Sequence, residues 1–235
     1  LYDSCLIRYD NISPLENDFE TAFRYYKYYF PNRKIPKIIT HVSEFGPATS
    51  SLDSTLIAIS LDMYLGKDFP FYRSISLPSY LIERLEKNYV VPNAMKTYIN
   101  GLYDTERKNN KLIDEIVQEG KLLYFLDMVL PKTDDNLKIG YSLDDLAWCE
   151  RNEKMIWSFF IEQNLLFENK QREISKYTAE APTTSGMPAD SPGRVGTWVG
   201  WQIVKQFMQQ NPDVSFGELM SKNGQQVLKG SKYKP

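Results

Sequence analysis

Residues 181–207 read APTTSGMPADSPGRVGTWVGWQIVKQF, a proline-rich loop that runs into a helical stretch with three glycines beside two tryptophans. Ser191 followed by Pro192 predicts a helix start, because a serine hydroxyl accepts from a free N–H and proline has no donor to lose there. Gly196 and Gly200 are four residues apart, hence on one face, and Ile203, Val204 and Phe207 extend that face as apolar surface. Each interior glycine costs about 1 kcal/mol relative to alanine, so such a helix survives only where something packs against its bare backbone. Close helix-on-helix packing is therefore predicted. The competing reading places Asp190, Arg194 and the helix N-terminus on a groove, with TTSG as its lip. Arg194 calls for a carboxylate partner in either case.

Working outward, the chain is helical from residue 78 onward. The predicted helices are PSYLIERLEKN, PNAMKTYINGLYDTER, NNKLIDEIVQEGKLLYFLDMVLP, SLDDLAWCERNEKMIWSFFIEQN, KQREISKYTAE and the stretch from Ser191. The tail, SFGELMSKNGQQVLKGSKYKP, reads as one or two short helices with a basic, frayed end. Before residue 78 the pattern is mixed. PLENDFETAFRYYKYYFP, 14–31, is the first predicted helix, capped by Ser13. PKIITHVSEFG and STLIAISLDMYLG alternate like two strands, with GPATSSLDS between them as a connection. The expected fold is α+β, mostly α: one domain over 1–235, a helical body with a small N-terminal β-sheet.

Twenty-eight basic against 30 acidic residues give a net charge of −2, which leaves no basic excess for nucleic acid. No stretch reaches the roughly 18 apolar residues a membrane span needs, and no signal peptide opens the chain; any lipid anchor would lie upstream of residue 1. Cys5 and Cys149 would either pair in an oxidising compartment or remain two small buried thiols.

His41 is the one histidine. A zinc helix of the H-E-x-x-H type is thereby excluded, and a Ser-His-Asp or Cys-His arrangement could be built only around His41. There is no phosphate loop, dinucleotide motif, C-x-x-C or calcium loop. Two carboxylates do fall on apolar faces. Glu119 lies in the stripe Leu112, Ile116, Leu123, Leu126, and Glu153 shares a side with Cys149, Ile156 and Phe160. An inward carboxylate must be paired, hydrogen-bonded or protonated, and Arg194 is the expected partner. Alternatively the two serve as an acid and base pair.

The runs EAPTTSGMPADSPGRVGTWVGWQIVKQFM, IGYSLDDLAWCERNEKMIWSFFIEQNLLF, EGKLLYFLDMVLP, LDMYLGKDFPFY and PSYL resemble the gliding-motility lipoprotein GldB family of Bacteroidetes, over most of residues 35–211. That resemblance implies a lipid-anchored protein on the periplasmic side of the cell envelope, serving gliding motility and the associated protein secretion. It also implies a zincin-like, degenerate metallopeptidase architecture, in which Glu119-Gly120 looks like a remnant of a metal-binding pair. The helix that would carry the histidines reads NAMKTYINGLY, so the expectation is a chain with no catalytic residues, no metal and no cofactor.

The expected role is a non-catalytic envelope component that binds proteins of the motility or secretion machinery. Glu119, Glu153 and Arg194 would hold its cleft, and Asp190, Trp198 and Trp201 would border it as a partner-binding edge. Two alternatives stay open: an envelope hydrolase using Glu119 and Glu153, or a small-ligand binder with a deep pocket lined by the tyrosines of 25–29.

Overall fold

Alternating β-branched residues and an amphipathic helix build the first part of the chain. The computed structural model describes residues 1–103 and 110–235. Helix α1 (Tyr2–Arg8) precedes α2 (Ser13–Tyr29), which buries Phe19, Ala22, Phe23 and Tyr26 along one side. Pro14 sits in the first turn, where its missing N–H costs nothing. Strands β1 (Lys37–His41), β2 (Thr49–Leu52) and β3 (Leu56–Ser60) follow, then a 3₁₀ turn at Leu61–Tyr64 and the short helices α3 (Phe71–Ser74) and α4 (Ser79–Ile82). After a 3₁₀ turn at Lys87–Tyr89 come α5 (Val90–Leu102), α6 (Leu112–Val129), α7 (Asp135–Ile139), α8 (Leu143–Arg151) and α9 (Glu153–Glu162). A 3₁₀ turn at Leu165–Phe167 then leads to α10 (Gln171–Thr178), α11 (Val195–Gln210), α12 (Phe216–Ser221) and α13 (Gly224–Ser231). The class is α+β, mostly α, as expected.

The chain divides into two compact units: Leu1–Asp104 with Leu126–Gly140, and Thr105–Phe125 with Tyr141–Pro235. In unit 1 the sheet order is β1-β3-β2, with β1 parallel and β2 antiparallel to β3. Helix α5 packs against β2 and β3, burying Ala94, Met95, Tyr98 and Ile99. Tyr26 and Tyr98 meet edge-on, with hydroxyls 3.2 Å apart. In unit 2, α11 packs against α13, α10 and α9.

Several sequence expectations are corrected. TSSL, read as part of a connection, is a third strand, and Tyr2–Arg8 is an additional helix. The stretch 142–164 is two helices that part at Asn152, whose Nδ2 donates back to Trp148 O at 2.8 Å. Residues 78–88 make one short turn of helix and the start of a 3₁₀ turn. The end of the predicted helix at 92–107 falls on 104–107, outside the described residues, as does Asn109 of the next. Cys5 and Cys149 are both free and buried. Nor is the tail frayed: Tyr233 is 5% exposed, its ring meeting Trp157 edge-on at 5.0 Å.

Candidate functional site

The opening glycines are explained by main chain meeting main chain. A Cβ on Gly200 would overlap the carbonyl of Ile116 in α6, and a Cβ on Gly120 would overlap the carbonyl of Gly200. One on Gly196 would lie 2.7 Å from Tyr177 O and 2.9 Å from Ile116 Cγ2. Helices α6 and α11 therefore touch along their backbones, a distance only glycine permits. Gly120 thus has a packing reason of its own, independent of any inherited metal motif.

Helix α11 starts at Val195, one turn after the Ser191–Pro192 signal. The capping is done from elsewhere: Thr184 Oγ1 accepts from Val195 N at 3.3 Å and donates to Pro192 O at 2.7 Å. Ser191 is buried, and its hydroxyl has no partner among the described residues. Arg194 occupies the cap in the left-handed region, φ 58°, a conformation that a non-glycine residue holds only when its surroundings fix it. Those surroundings are present. Arg194 is 7% exposed, its Nε lies 3.2 Å from Glu180 Oε2, and its guanidinium sits 5.5 Å from the Tyr141 ring. Tyr141 in turn donates to Gly193 O at 2.7 Å, and burial pushes its phenol well above the usual tyrosine range. The carboxylate recorded against Arg194 is Glu180, which sequence spacing did not single out.

Glu119 and Glu153 are both half-buried rather than core residues. Glu153 Oε1 accepts the Tyr233 hydroxyl at 2.6 Å; burial, then this bond, drive that phenol's pKa upward. Trp198 and Trp201 are 2% and 0% exposed, so neither presents a face at a cleft edge. Asp190 is exposed on the loop. Next to the glycine contact, Lys121 is 3% exposed and donates to Lys222 O at 2.6 Å and Met220 O at 3.3 Å. Desolvation lowers its pKa to about 8, against a smaller opposing pull from Asp114. It lies at one wall of a polar groove of about 500 Å³.

In unit 1, His41 does approach a serine: Nε2 lies 3.3 Å from Ser60 Oγ. That hydroxyl is fully buried and gives its proton to Pro47 O at 2.7 Å, so it is a structural tie rather than a nucleophile presented to solvent. The nearby acid, Asp62, is likewise consumed. Its carboxylate, fully buried, accepts from Ser43 N at 2.9 Å and Phe45 N at 2.7 Å, which holds the consecutive left-handed residues Glu44 and Phe45 at φ 56° and 66°. Asp62 and Thr184 escaped the sequence reading because their partners are distant in the chain. Among the described residues, no three His, Cys, Asp or Glu side chains converge closely enough to hold a metal ion, and no helix is long and apolar enough to cross a membrane.

A groove of about 940 Å³ runs between α2 and the sheet, with Leu15, Phe19, Phe23, Ile35, Ile38 and Ile59 among its walls. Of the tyrosines of 25–29, Tyr25, Tyr28 and Tyr29 border a different, smaller hollow of about 400 Å³, all of whose walls come from α2, so it is an open surface depression and not a deep pocket. Tyr26, at 0% exposure, belongs to the core, while Tyr28 is 78% exposed.

No curated protein and no solved structure matches the chain. A family model described as gliding motility protein GldB matches residues 1–235. Spanning every residue, including the glycine-bearing helix and the loop that caps it, that match places the chain in the GldB family of gliding motility proteins.

Proposed function

We propose that this chain is a non-catalytic, lipid-anchored component of the cell envelope that docks or assembles proteins of the gliding and associated secretion machinery, on a peptidase-like body that has lost its chemistry. One observation supports this reading above others: several of the described groups that could act as nucleophile, acid or base are committed to folding. Ser60 is tied to Pro47, Asp62 to the 43–45 turn, Glu153 to Tyr233 and Lys121 to two carbonyls. A working site needs such groups in reach of a substrate with their protons free to move. The α2–sheet groove, by contrast, offers an apolar wall beside charged α2 side chains, a shape suited to binding.

The test is complementation in a gliding host. A chain carrying Glu119→Gln and Glu153→Gln together is expected to restore gliding and secretion, and to co-purify with machinery proteins after crosslinking in the native envelope. Loss of both functions in a variant that folds and is anchored normally would overturn the reading in favour of a hydrolase.

A further inference from the structure

Among the described residues, strand β1 lies at the end of the sheet, paired only with β3. Lys37 N donates to Thr55 O at 2.8 Å, and with the parallel register this fixes the phase of the strand. Lys37, Ile39 and His41 turn their main-chain groups to β3, so Ile38 and Thr40 turn theirs outward. Neither residue makes a main-chain bond on that side to any described residue. The strand is also little covered: Ile39, on the face away from the groove, is 37% exposed. An exposed edge of this kind is a template for another strand.

Helix α2 flanks that edge with an ordered row of charge. Glu16, Glu20, Arg24 and Lys27 follow one another at helical spacing and all line the groove, so the helix offers an acidic half and then a basic half. Such a row is complementary to itself when reversed. Turned by a twofold axis, Glu20 of one copy meets Arg24 of the other, exchanging the pair each helix makes within itself. The free edge obeys the same symmetry: an antiparallel pairing centred on Ile39 sets Ile38 against Thr40, which exchange both main-chain bonds on either side of an Ile39–Ile39 contact.

We propose that two copies of this chain associate through β1 and α2, joining their sheets into one six-stranded sheet and seating each α2 beside the groove of the other. Main-chain phase and charge order are two independent features that one twofold axis can satisfy together. An unrelated extended segment would satisfy the edge alone, whereas a second copy also exchanges the Glu20–Arg24 pair that each α2 makes within itself.

Light scattering and sedimentation of the purified chain across the micromolar range test this. The parent is expected to dimerise, with Ile38 and Thr40 amides protected from hydrogen exchange. Glu20→Arg and Arg24→Glu, each at an exposed side chain, are expected to weaken dimerisation about tenfold or more by setting like charges across the axis. Mixing the two variants should restore a heterodimer, because each then supplies what the other lacks; a purely structural effect on α2 would not be rescued this way. A parent that stays monomeric over that range overturns the proposal. So does a dimer that is indifferent to both charge changes and to Ile39→Lys.

Discussion

Gly200→Ala places one methyl group where α11 meets the main chain of α6. The atoms in the way are the Ile116 carbonyl, with the Ile116 Cα 3.1 Å from the new carbon. Neither can rotate aside, unlike a side-chain tip, so the helices must separate and loosen the Gly120 contact with them. Overpacking typically costs about 1–3 kcal/mol and occasionally more. A wholly main-chain obstacle belongs at the upper end, and alanine returns only about 1 kcal/mol through its better helix propensity. The expected net loss is about 2 kcal/mol. Unfolding entropy near 2 cal/mol/K per residue gives roughly 0.5 kcal/mol/K for a chain of this length, so the Tm should fall by about 4 °C. Gly217→Ala is the matched control, since nothing lies within 4 Å of its would-be Cβ in α12; it should raise the Tm by up to about 2 °C. Calorimetry or thermal denaturation followed by circular dichroism reads both. A Gly200→Ala protein that melts at or above the parent would refute the close-contact explanation of the glycines.

Arg194→Ala should cost about 1–3 kcal/mol in urea unfolding, less than a wholly buried pair because Glu180 is partly solvated; an unchanged midpoint would refute the anchoring role. Lys121 has a folded pKa of about 8, below its unfolded value, so at neutral pH its charge penalises the native state. The unfolded chain binds more protons between about pH 8 and 10, so stability should rise there by at most about 1.4 kcal/mol per pH unit, and Lys121→Met should flatten that rise. Tyr233→Phe should lose about 1 kcal/mol through the Glu153 bond, whereas Tyr233→Ala should lose several through the vacated ring site; a Tyr233→Phe protein as stable as the parent would show the hydroxyl to be idle. Elemental analysis of protein purified without chelators should find well under one equivalent of zinc, and added chelator should leave the Tm unmoved.

What the sequence made legible was periodic or stereochemical. The apolar stripes of α6 and α11, the alternation in β1 and β3 and the shared face of Gly196 and Gly200 are local patterns, and they located the main elements. Strand β2 was hidden because TSSL is polar and short. It becomes a strand only through tertiary support, pairing with β3 while Thr49 Oγ1 meets Thr97 Oγ1 at 2.7 Å on α5. The cap of α11 was misplaced for a related reason, since a local Ser-Pro signal lost to Thr184, eleven residues upstream. Arg194 was recognised as needing an acid, but the sequence pointed to Glu119 and Glu153, and Glu180 reaches it only through the folded loop. Burial of the tryptophans depends on what packs on the other sides of α11, which the glycine spacing does not report.

The α6–α11 contact also sets where stiffness resides. Side chains in an ordinary helix interface can hop between rotamers and take up a displacement of a few tenths of an ångström, whereas peptide groups pressed on one another have no such slack. Sliding one helix along the other would drive Ile116 out of the notch at Gly200, so the pair should respond to load as a single beam. The amides of both helices should then exchange with solvent in one cooperative step and be among the last in unit 2 to open.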